Sequence, residues 1–208
     1  MITNRTVILL ILIVAVGFAT SLLMDVSEPD EEPGVQARND PDIYMVNAEV
    51  TQFDKSGGIR HRINATRMTH FPLTDVTTLK VPNLHLYSAG RQAPWDIIAS
   101  NGRLLPKVQL REEIVELWDQ VLATREKAEG DFVNIQTDNL TVYPDRNYAE
   151  TNTRVVIDNA SGRTESAGGM KAYLDEGKFE FFSGGGERVR TVLAPKQGSE
   201  ADGETTAR

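Results

Sequence analysis

The sequence predicts an all-β domain of two antiparallel sheets behind a single apolar N-terminal helix. Three features support this prediction: apolar and polar residues alternate with a period of two, a strand-turn-strand unit occurs twice, and turn-forming residues separate the alternating segments. A two-strand unit of this size rarely buries an apolar face alone, so the copies are expected to stack. We therefore expect one elongated β structure with a continuous apolar inner surface.

The repeated unit opens at Ile63 to Pro72 and again at Ile135 to Pro144. Ile, Thr and Pro are identical at matching positions, Met is matched by Leu, and Phe is matched by Tyr. Proline has no N–H to donate to a ladder, so a turn is expected after each copy. A second strand then follows, predicted from Val76 to Tyr87 in the first unit and from Tyr148 to Asp158 in the second.

Length and composition allow one medium domain and an anchor. The 208 residues contain no cysteine, which excludes a disulfide framework, a lipid-modified cysteine and a thiolate metal site. The formal net charge is −8, from 22 Lys and Arg against 30 Asp and Glu. Such a surface repels nucleic acid, so no nucleic-acid partner is expected.

The segment from Val7 to Met24 is predicted to be a transmembrane helix. Its 18 residues carry no charge and at 1.5 Å each span about 27 Å, close to the thickness of a bilayer core. A cleaved signal peptide is the alternative, because Ala15-Val16-Gly17 is small enough for a peptidase. Arg5 precedes the segment and acidic residues follow it, which predicts a cytoplasmic start at residues 1–6 and a main domain outside the cytoplasm.

The rest of the chain divides into a linker, a β domain and a tail. Residues 25–40 are acidic and contain two prolines and a glycine, a composition typical of a flexible linker. Residues 41–194 carry the alternating pattern and are expected to form the β domain. Residues 195–208 are polar and are expected to be disordered.

Alternation assigns one face of each strand to the interior. A first strand begins at Tyr44, the turn Asp54-Lys55-Ser56-Gly57-Gly58 follows, and a second strand resumes at Ile59, so the two form a hairpin. Pro82 marks a bulge in the next strand, and Trp95 to Ala99 alternates again. The predicted inner-face residues are Val46, Ala48, Val50, Ile59, Ile63, Leu79, Val81, Leu84, Leu86, Ile97, Val115, Leu117, Ile135, Leu140, Val142, Val155 and Ile157.

The segment from Ile114 to Ala123 fits both a helix and a bulged strand. We favour the strand because both flanks are strands. Further along, strands are predicted at Thr164 to Leu174, with Gly168-Gly169 inside it, at Lys178 to Phe182 and at Glu187 to Leu193.

No catalytic centre is predicted, because no nucleophile with a base and no convergent carboxylates can be placed. His61, His70 and His85 lack the spacing of a zinc site and are expected at ordinary strand positions. Gly184-Gly185-Gly186 is not followed by the Lys-Ser/Thr of a phosphate loop, so it is interpreted as a hinge. The sequence therefore predicts a binding protein with no cofactor or metal, not an enzyme.

The apolar inner face has two interpretations. If the sheets close on each other, the face is only a core, as in most proteins with alternating strands. If the sheets splay apart, the same residues line a groove suited to acyl chains. Apolar burial contributes about 25 cal/mol per Å², so a lipid with several chains could bind there without any specific polar contact.

A series of short motifs follows the apolar segment in a fixed order. The motifs are Asn39-Asp40-Pro41, Thr51-Gln52-Phe53-Asp54 to Gly57, Arg62-Ile63-Asn64-Ala65, Pro94-Trp95 to Ala99, Thr137-Asp138-Asn139-Leu140, Tyr148-Ala149-Glu150-Thr151 and Gly168-Gly169-Met170. Together they resemble the LptC family, the bitopic components of the lipopolysaccharide exporter of Gram-negative bacteria. The resemblance covers nearly the whole chain.

The resemblance implies a twisted open β-jellyroll of the OstA/LptA type and a function in lipopolysaccharide transport. Members of the family are single-pass inner-membrane proteins with a periplasmic domain. They accept lipopolysaccharide from LptF, beside LptG and the LptB ATPase, and pass it to LptA. The resemblance also implies that the membrane helix packs beside the transporter and tunes its ATPase.

The family joins its jellyrolls edge to edge, so the N-terminal edge is expected to face LptF and the C-terminal strands to pair with LptA. The resemblance assigns lipid contacts to Ala48 and Leu79 and places Gly168 near the C-terminal edge. The residues predicted at the partner edges are Tyr44, Gly57, Gly168, Met170, Phe179, Phe181, Val189 and Val192.

Two other functions remain open from the sequence. The chain could be a membrane-tethered structural adaptor that bridges partners through its sheet edges without carrying lipid. A polysaccharide-acting enzyme is a third hypothesis, and it requires a carboxylate pair that the sequence does not place.

Overall fold

The computed structural model describes residues 14–16, 18–20, 39–87, 93–126 and 131–194. The chain divides into two compact units, Met1–Arg38 and Asn39–Arg208. All strands described below belong to the second unit.

In the first unit, residues 14–16 and 18–20 are helical. Within the described ranges, no helix is both long enough and apolar enough to cross a membrane. The other residues of the predicted span Val7–Met24 lie outside the described residues, as do most of the predicted linker and the predicted tail.

The described residues of the second unit form fourteen strands in one hydrogen-bonded sheet, and all the pairings of these strands are antiparallel. A short 3-10 turn at Pro144–Arg146 joins the eighth strand to the ninth. In chain order the strands are β1 Ile43–Phe53, β2 Ile59–Phe71, β3 Val76–Lys80, β4 Asn83–Leu86, β5 Trp95–Ile98, β6 Asn101–Leu105, β7 Ile114–Glu126, β8 Phe132–Tyr143, β9 Tyr148–Thr151, β10 Val155–Asn159, β11 Gly162–Ser166, β12 Met170–Tyr173, β13 Lys178–Phe181 and β14 Arg190–Leu193.

Long strands fold this sheet into two layers, because each half of a long strand pairs with a different neighbour. β2 pairs with β4 through residues 61–64 and with β3 through residues 67–71. β7 pairs with β6 through residues 114–118 and with β5 through residues 122–124. β8 divides in the same way between β10 and β9.

We define layer A as β3, β6, β9, β12 and β13, and layer B as β4, β5, β10, β11 and β14, each with the halves of the long strands that join them. β1 pairs with β2 along both halves, so it forms one edge of the sandwich. At the other edge, among the strands that the structure describes, β13 pairs only with β12 and β14 pairs only with β11. The sandwich therefore runs from a β1 end to a β13/β14 end.

The layers meet along a line where the long strands bend. Asn47 in β1 and Asp119 and Gln120 in β7 have positive φ angles of 50°, 63° and 59°. The register of β7 with β8 shifts between Trp118 and Val121, which is a β-bulge, and bulges bend and twist the strand that carries them. We call this the fold line, and it comprises Asn47, Thr66, Asp119, Gln120 and Asp138.

Crossing the fold line changes which side chains point inward. In β2, Ile63 and Ala65 are buried before the line and Met68 is buried after it. In β8, Thr137 and Leu140 show the same change. In these two strands inward positions thus fall on odd numbers on one side and on even numbers on the other, whereas in β7 the two residues Asp119 and Gln120 at the bulge keep the inward positions on odd numbers.

Both copies of the predicted repeat follow the same path. The second strand of each copy is interrupted, at Val81-Pro82 in the first and at residues 152–154 in the second, where the chain crosses from layer A to layer B. Gly168-Gly169 makes the opposite crossing, so the predicted strand Thr164 to Leu174 is two strands. A Cβ on Gly169 would lie 2.1 Å from the carbonyl oxygen of Thr151, which explains the glycine there.

The strand prediction for Ile114 to Ala123 is confirmed, because β7 covers this segment with the bulge that the pattern indicated. No strand is predicted from the sequence at β6. Its central Gly102 resembles a turn residue, but it is buried against β7, where a Cβ would come within 2.9 Å of Leu117 Cδ2. The glycine therefore marks close packing between strands.

The inner faces of both layers pack into one apolar core. Burial of each such side chain contributes about 1.5–3 kcal/mol to folding. The core residues with no exposed surface are Ile63, Leu84, Leu86, Val115, Val142, Val155, Met170 and Ala172.

Candidate functional site

The apolar interior between the layers is the candidate binding site. Most of the predicted inner-face residues lie in it, and the side chains of the two layers fill it. The buried ones are Ile63, Leu79, Leu84, Leu86, Ile97, Val115, Leu117, Ile135, Leu140, Val142, Val155 and Ile157.

Three residues predicted on the inner face are exposed instead; the predicted placement is wrong for Val46 and Val81, whereas Ile59 lies on the same side of β2 as the buried His61 and Ile63. Val46, Ile59 and Val81 are 69%, 38% and 59% exposed. Val46 precedes Asn47, where β1 crosses the fold line and its inward side changes. Val81 has a φ of 48° at the crossing between β3 and β4, and Ile59 lies at the open start of β2.

Several inner-face residues were not identified from the sequence, among them Met68, Met45, Ala149, Ala172 and Leu174. Met68 is 1% exposed, and Met45 packs against the core from β1. The repeat contains the signal for Met68, because this residue aligns with Leu140, which is predicted inside.

The interior is partly exposed at its two ends. At the β1 end, Ala48 and Val50 are only partly buried against the core. At the β13/β14 end, Phe179 and Phe181 are partly buried in the same way. The apolar interior therefore extends from one edge strand to the other and contacts solvent at both.

The predicted partner-edge residues occupy different positions. Tyr44 is exposed on β1, and Gly57 lies in the β1–β2 turn with a φ of 86°. Gly168 lies between β11 and β12, where its N–H donates a hydrogen bond to the carbonyl of Phe182 (2.9 Å). Met170 is fully buried in β12, between β9 and β13, so its predicted edge position is wrong.

The remaining predicted edge residues lie near the C-terminal end. Phe179 and Phe181 belong to edge strand β13. Val192 belongs to edge strand β14 and is 54% exposed, and Val189 is exposed just before that strand. These backbones form the open edges of layers A and B, to which a further strand can add.

Polar contacts between the layers close the side of the sandwich opposite the fold line, which we call the mouth. Arg60, near the start of β2 in layer B, pairs with Asp145, in the turn after β8 in layer A. Beside this pair, His61 Nε2 lies 2.9 Å from Oε1 of Glu113, which precedes β7 in layer A. The His61 and Glu113 side chains are buried, so this pair separates the apolar core from solvent at the mouth.

A second set of contacts closes the mouth nearer the C-terminal end. Arg125, at the layer B end of β7, donates a hydrogen bond of 2.9 Å to the carbonyl of Leu174, after β12 in layer A. Trp95 Nε1 donates to the same oxygen at 3.5 Å, and its ring meets Phe179 edge-on at 6.5 Å between centroids. Burial lowers the pKa of Arg125, and the nearby carboxylate of Asp175 partly offsets this effect.

Asp145 contacts two cations. Besides Arg60, it accepts a hydrogen bond of 2.7 Å from Lys107 Nζ, in the loop after β6. The Lys107 hydrogen bond and the charge of Arg60 outweigh partial burial and lower the pKa of Asp145. The mouth therefore holds two cations on one carboxylate at this point.

The three histidines of the β domain contact three different carboxylates, as expected for separate strand positions. The pairs are His61–Glu113, His70–Asp42 and His85–Asp96. Over the parts of the chain that the structure describes, no group of three His, Cys, Asp or Glu side chains is arranged to hold a metal. Gly185 and Gly186 have positive φ angles in the turn between β13 and β14.

The fold is similar to that of a solved lipopolysaccharide transport protein. LptH, the LptA-homologous periplasmic component of the lipopolysaccharide transport device of Pseudomonas aeruginosa, matches with a TM-score of 0.53 and 10% sequence identity. The match covers 65% of this chain and 95% of that one. It places the β domain in the class of LptA-like β-jellyrolls. No curated protein sequence matches the chain.

A family model for LptC-related lipopolysaccharide-assembly proteins matches residues 8–193. The chain belongs to the LptC family. This family is one of transport components, not of enzymes, so the chain takes part in lipopolysaccharide transport.

Proposed function

We propose that the β domain carries lipopolysaccharide between its two layers. It accepts the lipid from the ABC transporter that contains LptF and LptG, powered by the LptB ATPase, and passes it to periplasmic LptA. The observation that carries the proposal is an apolar interior that extends from edge strand β1 to edge strands β13 and β14 and is partly exposed at both ends.

The interior suits acyl chains because nearly all its side chains are apolar. In the closed domain the core side chains occupy the space themselves, so a lipid enters only when the layers part. Each Å² of acyl chain that then packs against these side chains contributes about 25 cal/mol, which offsets the cost of moving the two apolar faces apart. Contacts between the layers are thus replaced by contacts with acyl chains. No single contact dominates, so a bound lipid can also move along the interior.

The open strand edges support the proposed partner contacts. Within the described part of the chain, β1 presents an unpaired edge at the end where the family meets LptF, and β13 and β14 present edges at the end where it meets LptA. Strand addition at both ends would join the apolar interior of this domain to those of its partners.

The segment Val7–Met24 completes the proposal as a single transmembrane helix that holds the domain at the periplasmic face of the inner membrane. Support comes from its 18 uncharged residues, with Arg5 before it and acidic residues after it. In this position the helix can pack beside the transporter and regulate it.

Photo-crosslinking tests lipid carriage directly. A crosslinking amino acid at Ala48 or Leu79, which face the interior, should capture lipopolysaccharide during ATP-driven transport. The same group at Val46 or Lys80, which lie on the outer side of the same strands, should capture none. Active transport without capture at either inner position would contradict the proposal.

A structural adaptor is the second candidate, and the packed interior favours it. Leu79→Arg separates the two functions, because it introduces a charge between the layers, and Thr78→Arg is the matched outward control. We expect folded Leu79→Arg protein to keep LptF and LptA in co-purification but to lose lipopolysaccharide. If transport continues with this variant, the adaptor is the correct function.

A further inference from the structure

We propose that Arg60 and Lys107 form a phosphate site at the mouth, which Asp145 masks while the layers are closed. When the layers part, the phosphorylated headgroup of a lipid replaces Asp145 on the two cations. This inference rests on the proposed function, because the acyl chains of that lipid lie between the layers.

Asp145 can mask the two cations only while the layers are closed, because the three residues are divided between the layers. Arg60 belongs to layer B, whereas Asp145 and Lys107 both belong to layer A. Parting the layers therefore separates Arg60 from Asp145. Lys107 is in the same layer as Asp145, so it can keep this contact or bind the phosphate that replaces Asp145. Arg60 then needs a new acceptor, because an unpaired guanidinium beside an apolar interior is costly.

The charges at this point favour an anion. Arg60 and Lys107 share the single carboxylate of Asp145, so these three side chains together carry one positive charge, although the whole chain carries −8 and the carboxylate of Asp54 also interacts with Arg60. The next cation along the chain, Arg146, is already paired, because its Nη2 lies 2.9 Å from Glu112 Oε1. A phosphate brings more negative charge and more acceptor oxygens than Asp145, and it can accept two hydrogen bonds from the guanidinium.

The position also fits the amphipathic form of the ligand. Acyl chains between the layers leave a polar headgroup at a border of the apolar interior, and the mouth is the long border opposite the fold line. Lys107 is 65% exposed and Arg60 is 23% exposed, so both can reach a headgroup that remains in water.

The test compares two lipids that differ only in phosphate. Full-length protein in nanodiscs is given bisphosphorylated lipid A or the same lipid A after dephosphorylation, and retention is measured for each. We expect the wild type to retain the phosphorylated lipid about tenfold better than the dephosphorylated lipid. This factor corresponds to the loss of about one charge-assisted hydrogen bond. Equal retention of both lipids by the wild type would overturn the inference but leave lipid carriage intact.

Variants identify the residues. Arg60→Gln with Lys107→Gln should abolish the preference for phosphate, whereas Asp145→Asn should increase it, because the competing anion is gone. Arg163→Gln, on the outer face of layer B, is the control and should keep the wild-type preference. If the double variant fails to fold, Lys107→Gln alone, in an exposed loop, should reduce the preference severalfold.

Two outcomes separate this inference from the proposed function. A wild-type preference in the double variant, or in folded Lys107→Gln, would overturn the phosphate site alone. Absence of binding for both lipids, together with absence of crosslinking at Ala48 and Leu79, would instead overturn lipid carriage.

Discussion

At the scale of single residues, the direction of a side chain depends on its distance from the fold line. Alternation identified Ile63, Leu84 and Val115 as inward-facing because they lie within straight half-strands. It failed for Val46 and Val81, because the strand changes its inward side at a backbone bend that the apolar pattern does not mark. Aligning the two copies of the repeat would have identified Met68, which alternation missed, because it aligns with Leu140.

A pair of valines tests the assignment of faces. Val115→Ala removes methyl groups that have no exposed surface, so it should lower the free energy of unfolding by about 2–4 kcal/mol. Val46→Ala makes the same chemical change at a position that is 69% exposed and should cost less than about 0.5 kcal/mol. Urea denaturation of both variants measures the difference, and equal losses would contradict the fold line.

At the scale of elements, the hairpin, the bulged β7 and the repeat could be predicted, because each depends on local pattern and turn chemistry. The splitting of the later strands could not, because it depends on which layer each half joins. The pattern placed Gly168-Gly169 inside a single strand, whereas in the structure it lies at a crossing between layers. β6 was missed because close packing and a turn can both require glycine.

The crossing at Gly169 gives a prediction for this scale. Gly169→Ala places a methyl group against the carbonyl of Thr151 at a φ of 96°, so it should lower the free energy of unfolding by about 3 kcal/mol or more. Gly177→Ala is the control, since its φ is also positive at 64° but no atom lies within 4 Å of the added Cβ. That variant should cost only about 1–2 kcal/mol. Similar melting temperatures for the two variants would contradict a tight crossing.

At the scale of the whole molecule, one sheet folds along a line, encloses an apolar interior and is closed at the mouth by contacts between layers. The sequence predicted the apolar inner face and, through its resemblance to the LptC family, the jellyroll. It did not predict the mouth contacts, because Arg60 and Asp145 lie far apart in the chain and carry no shared pattern. Carriage of lipid in this interior therefore requires the two layers to separate when lipid binds.

A distance between the layers tests this claim most directly. The chain contains no cysteine, so spin labels can be attached to cysteines introduced at Ile59, at the layer B end of β2, and at Leu73, just past its layer A end. A control pair at Ile59 and Ile98 lies within layer B. Pulsed electron paramagnetic resonance should show the first distance lengthening when lipopolysaccharide is added while the control distance stays constant. Bound lipid with no change in the first distance would contradict carriage between the layers.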